Sequence, residues 1–327
     1  MKFPHRKFLH LAACAIAVGI HSVILFERSA WSESTSAIKL VVPYPPGGGA
    51  DVLARIVADA IGNLHGPTIV VLNRPGAGTM IGTEDVARAK PDGNTLLMTN
   101  NAVAIFPHMR KLDYDPLSSL EPICSIATTP TIMIVSSTSP YRSLNNLISA
   151  ARAKPGALTF GATPGAKSHV DFEIVRHPAN LQMTLVPFSG TPPIVNAVLG
   201  GQVDTAFVDY PAAAGLLQAG KLRALAAGSR GRIEQLPDVP TVSEAGFGDF
   251  EMEVWYGLMA PAQASQPILS QIAEWFGKAV KLPETRSRLA IQGMNPVGVC
   301  GAPSVFHLRK LYEDYGRLIS EANIKSE

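Results

Sequence analysis

From Ile38 onward, short apolar runs of strand length alternate with stretches whose apolar residues recur at helical spacing. Such an alternation builds an α/β fold, in which helices pack on the faces of a sheet whose buried strands read as continuous apolar runs. Strands are expected at Ile38–Pro43, Thr68–Leu72, Thr95–Thr99, Leu158–Ala162, Met183–Phe188, Val203–Val208 and Leu222–Ala227, with an extended run at Met252–Ala260. Helices are expected near Asp51–Ile61, Ile81–Arg88, His169–Arg176, Pro193–Leu199, Ala212–Gln218, Pro267–Lys281 and Ser304–Ser320. One more runs from a Ser143 cap to Lys154, where Pro155-Gly156 stops it. In the first of these helices Leu53, Ile56, Val57, Ala60 and Ile61 share a face, leaving Arg55 and Asp59 toward water.

A chain of 327 residues is long for one core and sufficient for two. Two extended stretches, Thr129–Ser136 and Glu251–Ala260, lack turn signals and are suited to carry the chain between lobes. Two crossings give a discontinuous lobe of residues 36–136 plus 255–327 and a second lobe of residues 137–254. Such a pair, each lobe a sheet flanked by helices, closes by a hinge on a ligand in its cleft.

The N-terminus has the order of a secretory signal: Lys2, Arg6 and Lys7, an apolar stretch from Leu11 to Phe26, then small residues around Ala30–Ser32. Cleavage is expected after Ser32, making residues 1–32 a signal peptide and the mature protein periplasmic; an uncleaved anchor helix is the alternative. A lipoprotein box at Leu11-Ala12-Ala13-Cys14 is disfavoured, because only six residues separate Lys7 from Cys14. Residues 1–32 hold four cations (Lys2, Arg6, Lys7, Arg28) and one acid (Glu27). The whole chain is +2, so the remainder is −1, and no basic face for nucleic acid is left. Cys124 and Cys300 have no metal-ligand spacing. An oxidising compartment permits a bridge between them; two buried apolar thiols is the preferred reading.

Six strand ends carry the candidate binding residues, Gly78 and Asn100 after the second and third strands among them. Tyr44-Pro45-Pro46-Gly47-Gly48-Gly49-Ala50-Asp51 joins a strand to a helix, and such a glycine loop exposes backbone N–H groups at a helix start, which favours an anion. It lacks the Lys-Ser/Thr pair of a nucleotide P-loop; the other reading is a turn in which Asp51 caps the helix. Gly76, Gly78 and Gly82 miss a dinucleotide fingerprint by one residue, and the next strand ends at Asn100 without the acid that would hold a ribose, so no cofactor is expected. Thr163-Pro164-Gly165-Ala166-Lys167-Ser168-His169 offers Ser168 and helix-end amides to a carboxylate. Lys167 adds a full positive charge there, unless it is a solvated surface residue. Ser189-Gly190 and Asp209 end two further strands, where ligands of open α/β sheets sit. No G-x-S-x-G, H-E-x-x-H or C-x-x-C motif occurs, and Ser168 and His169, adjacent on a helix, point apart. No catalytic residue and no metal ligand is assigned, and a receptor is expected instead of an enzyme.

The stretch Leu40-Val-Val-Pro-Tyr-Pro-Pro-Gly-Gly-Gly-Ala-Asp-Val-Leu-Ala-Arg55 resembles the opening of the tripartite tricarboxylate transporter receptor family, also called Bug-type binding proteins. The likeness continues in order through Asn73-Arg-Pro-Gly-Ala-Gly78, Pro91-Asp-Gly93, Asp113-Tyr-Asp-Pro116, Ala153-Lys-Pro-Gly156 and Gly200-Gly-Gln-Val-Asp204. It then runs through Ala219-Gly-Lys-Leu-Arg-Ala-Leu225, Leu236-Pro-Asp-Val-Pro-Thr241 and Trp255-Tyr-Gly257. The resemblance implies a monomeric two-lobed periplasmic receptor of the type II kind, which captures a small carboxylate and presents it to membrane transporter subunits. Presentation to a membrane sensor kinase is the alternative. It also implies that the loop at Pro43–Asp51 grips the carboxylate, partly through water, while Thr163–His169 completes the grip. Four positions depart from the family pattern: Ala50 for Thr, Lys167 for a small or polar residue, Phe188 for Tyr, and Val208 where an acid is frequent. Asp209 follows one position later, and strand alternation would turn its carboxylate to the other face, which disfavours an amino-acid ligand.

Overall fold

The computed structural model describes residues 37–247, 252–321, 323 and 324, and the expected signal segment with Cys14 lies outside them. The expected alternation is present. It begins with β1 (Ile38–Val42), α1 (Gly49–Asn63), β2 (Ile69–Asn73), α2 (Met80–Ala87), β3 (Thr95–Asn100) and α3 (Ala102–Met109). There follow the long β4 (Leu120–Ser136), α4 (Leu144–Ala153), β5 (Thr159–Ala162), α5 (Lys167–Arg176), β6 (Thr184–Pro187) and α6 (Thr191–Leu199). Then come β7 (Ala206–Asp209), α7 (Tyr210–Gln218), β8 (Leu222–Ala227), β9 (Glu253–Pro261), α8 (Gln266–Lys281), α9 (Pro283–Ile291), β10 (Asn295–Cys300) and α10 (Ala302–Glu321). None of these helices is long and apolar enough to cross a membrane.

The first sheet runs β10-β4-β9-β3-β1-β2, with β1 parallel to both β2 and β3 and the other pairs antiparallel. β4 then outruns this sheet. Its residues from Leu120 to Pro130 pair with β9, whereas Thr131 to Ser136 pair with β7 and β8. A single strand thus ties two groups of elements together, and β9 lies against it at Thr129–Val254 and Pro130–Glu253. Both stretches expected to carry the chain across are strands hydrogen-bonded to each other. β5 and β6 form a parallel pair, joined to the start of β7 by the Gly161 amide, which donates to Thr205 O at 2.9 Å.

Amphipathic burial explains the helices. α1 buries Leu53, Ile56, Val57, Ala60 and Ile61 against β1, β3 and α8, and leaves Arg55 and Asp59 exposed, as its periodicity requires. Ser143 caps α4 by accepting from the Asn146 amide at 3.2 Å. α3, the first half of β4, α9 and β10 are absent from the expectations above. Pro107 lies inside α3, Pro122 and Pro296 sit where β4 and β10 shift register, and α9 buries only Thr285 and Leu289. Each therefore lacks the regular period that identifies an element.

The preferred reading of the cysteines is corrected. Cys124 and Cys300 face each other across β4 and β10 and form a disulfide. Register places them opposite one another, a relation that their sequence separation of 176 hides.

Candidate functional site

The glycine loop is held by acids of the protein itself. Gly47 turns the chain with φ 87°, and its amide donates to Asp51 Oδ2 at 3.0 Å. Asp51 also accepts from Arg55 Nε at 3.1 Å. Burial raises the Asp51 pKa, but the Arg55 hydrogen bond and the Gly47 amide outweigh it and leave the carboxyl below its ordinary value. At the start of α1 the Gly49 amide donates to Asp209 Oδ2 at 2.8 Å, and the Tyr256 hydroxyl donates to the same oxygen at 3.3 Å. A Cβ on Gly49 would overlap both groups, so glycine is required for this approach.

Asp209 therefore corrects the alternation argument. Val208 does point oppositely, into an apolar cluster with Ile194 and Val198. The face left to Asp209 is the one that meets the glycine loop, because β7 ends there and α7 starts at the next residue. The carboxylate is thus brought to the site, and the argument against an amino-acid ligand falls.

On the opposite side, α5 begins in a tightly pinned turn. Ser168 Oγ accepts from the Thr163 amide at 3.1 Å, and the Gly165 amide, at φ 74°, donates to His169 Nδ1 at 3.2 Å. His169 is buried and lies 3.8 Å from Glu173. It supports the turn from beneath. Lys167 corrects the solvated-surface reading. Its side chain is 7% exposed and pairs with Asp171, which is wholly buried one helical turn later. Burial raises the Asp171 pKa and the lysine offsets part of that. A desolvated pair of this kind is costly to break, since either partner alone is an uncompensated buried charge.

Between the two sides lies a cavity of about 60 Å³. Of the expected binding residues it brings together Tyr44, Asn100, Thr163, Lys167, Ser168, Ser189, Gly190 and Asp209. Pro46 and Gly47 are exposed at the loop tip, while Gly48, Gly49 and Asp51 are buried behind it. Gly78 is a turn residue at φ 71°, packed so closely that a Cβ would meet the Phe106 ring. Thr79, Thr131 and Phe207 also border the cavity and had no signal in the sequence; Tyr256, which holds Asp209, lies in the Trp255-Tyr256-Gly257 motif.

The chemistry of the cavity is that of an anion site with neutral donors. α5 and α6 both point their starts at it, and among the described residues the amides of Lys167, Ser168, Gly190 and Thr191 have no acceptor. The Ser168 hydroxyl accepts from Thr163, so its own hydrogen is available. Burial pushes the Tyr44 phenol well above its ordinary pKa, so it stays protonated and donates to Asn100 Oδ1 at 2.6 Å. No group of three or more His, Cys, Asp or Glu among the described residues is placed to hold a metal. A larger cavity of about 420 Å³ lies beyond Lys167 and Asp171, against Trp255, His307 and Tyr315. Its lining includes Lys167 and Asn101 but not Ser168, Gly190 or Thr191, so the free amides of the α5 and α6 starts converge on the smaller one.

Comparison with known proteins identifies the family. The family described as "Tripartite tricarboxylate transporter family receptor" matches residues 53–323. Protein BugT of Bordetella pertussis is 31% identical over 264 residues, covering 80% of this chain and 81% of BugT. Among solved structures, the periplasmic binding protein BugD superposes with a TM-score of 0.85 at 27% identity, over 89% of this chain and 99% of BugD. Rpa4515 of R. palustris, solved with adipate, gives 0.86 at 27% identity, over 90% of this chain and 99% of its own. The fold, the ordered motifs and the extent of these matches lead to one assignment: the chain belongs to the tripartite tricarboxylate transporter receptor family, a family of substrate-binding receptors and not of enzymes.

Proposed function

We propose that this chain is a periplasmic receptor that captures a small carboxylate in a cleft between two lobes and delivers it to a tripartite tricarboxylate-type membrane transporter. The observation that carries the proposal is the convergence of the α5 and α6 starts, with the Ser168 hydroxyl, on one cavity. Free backbone donors at two helix ends stabilise a carboxylate without a cationic partner. The adipate bound by Rpa4515, a relative of nearly the same length, supports a carboxylate as the ligand class.

The cavity of about 60 Å³ is far below the roughly 300 Å³ at which small-molecule pockets begin. Entry then requires the lobe of residues 137–254 to swing from the other, with β4 and β9 as the two connections that bend. Closure on the ligand buries the carboxylate and excludes water, which strengthens each hydrogen bond to it.

A thermal-shift screen of residues 33–327, unfolded and refolded to strip carried-over ligand, tests the proposal. Mono-, di- and tricarboxylates, aromatic acids and amino acids form the panel. At least one carboxylate is expected to raise the melting temperature while remaining chemically unchanged by NMR. A panel without any shift, or conversion of the ligand to a product, would sink the proposal.

A further inference from the structure

The cavity is bordered by full charges of both signs. Lys167 lies on the α5 side and Asp209 on the side of the glycine loop. Asp171 already balances Lys167, so these three groups leave one negative charge before any ligand arrives. That charge is Asp209, whose carboxylate is only half used. Its Oδ2 accepts from the Gly49 amide and the Tyr256 hydroxyl, while Oδ1 accepts no hydrogen bond among the described residues, although the residue is 8% exposed. Asp209 is nearly buried as a residue but its Oδ1 is not one of the sealed, unpartnered oxygens, so a ligand donor in the cavity, preferably a cationic one, can reach it.

We infer that the ligand is a zwitterion, with its carboxylate at the starts of α5 and α6 and a cationic nitrogen against Asp209 Oδ1. The inference rests on the carboxylate-receptor reading above and narrows it. A zwitterion sets its cationic nitrogen against Asp209 and leaves its carboxylate to the neutral donors at the helix starts, so no two like charges meet in the site. A dicarboxylate would place a second anion in the same desolvated space as Asp209, a repulsion that selects against it. The rival is that a ligand carboxylate displaces Asp209 from Gly49; it predicts the reverse preference.

Calorimetry on the refolded protein separates these. Each α,ω-dicarboxylate from malonate to adipate is compared with the ω-amino acid and the α-amino acid of equal chain length. The expected result is that the tightest zwitterion binds at least tenfold better than its matched dicarboxylate. Asp209→Asn should weaken the zwitterion tenfold or more while leaving dicarboxylate affinity equal or improved. Dicarboxylates binding as well as or better than every zwitterion in the unaltered protein would overturn the inference and leave the receptor reading standing. Binding of neither class would overturn both. The preference of the unaltered protein decides the matter even where Asp209→Asn fails to fold.

Discussion

Asp209 Oδ2 lies 2.8 Å from the Gly49 amide, so an acid at the end of β7 satisfies a free donor at the start of α1, 160 residues away in sequence. The contact joins the two sets of elements that β4 links, and it leaves the candidate cavity to the helix starts on the far side. Its geometry depends on the missing side chain at position 49.

Gly49→Ala is expected to force Asp209 and Tyr256 apart, because the added methyl overlaps both. Overpacking of this kind costs about 1–3 kcal/mol. The urea midpoint of the variant should fall accordingly, and an unchanged midpoint would show that this close approach is not made.

Lys167→Met leaves Asp171 buried without its partner, a loss of about 3–5 kcal/mol. Joint replacement, Lys167→Met with Asp171→Leu, is expected to recover most of that stability. Denaturation curves of the three proteins check it; equal loss in the single and the double variant would contradict a buried ion pair.

Asp51 gives a pH dependence with a defined sign. Its folded pKa lies below the unfolded value of 3.8, so its contribution is complete above that value and is lost as pH falls through the lower folded one. The stability advantage of the unaltered protein over Asp51→Asn should therefore hold from pH 7 to about 4 and shrink below. Melting curves across this range measure it, and an advantage that grew on acidification would contradict the pairing with Arg55 and the Gly47 amide.

The disulfide closes a loop of 176 residues and restricts the unfolded chain. Replacing both Cys124 and Cys300 by Ala is expected to cost about 2–4 kcal/mol. Thiol titration of the denatured protein should find neither cysteine reactive before reduction.

Much of this architecture was readable because burial leaves a periodic trace. α1 could be read from Leu53, Ile56, Val57, Ala60 and Ile61, and β8 was bounded correctly at Leu222–Ala227, both being apolar on the side that packs. β4 was only half seen, since Pro122 and the changes of register interrupt the alternation that marks a strand. For the candidate site, the loops at Tyr44, Thr163–Ser168 and Ser189–Gly190, expected from strand-to-helix turn chemistry, border one cavity. Local sequence could not show that Asp209 would reach Gly49, that Lys167 would be buried against Asp171, or that Thr131 would face the cavity. Those depend on where distant elements meet. The bridge between Cys124 and Cys300 is hidden for the same reason, as it needs the β4–β10 register.

A crystal structure of the refolded protein with the tightest carboxylate from the screen tests the central claim most directly. The account predicts a carboxylate oxygen within hydrogen-bond distance of Ser168 or of the amides at Lys167–Ser168 or Gly190–Thr191. A ligand seated instead in the larger cavity against Trp255 and His307, or anywhere else on the molecule, would contradict it.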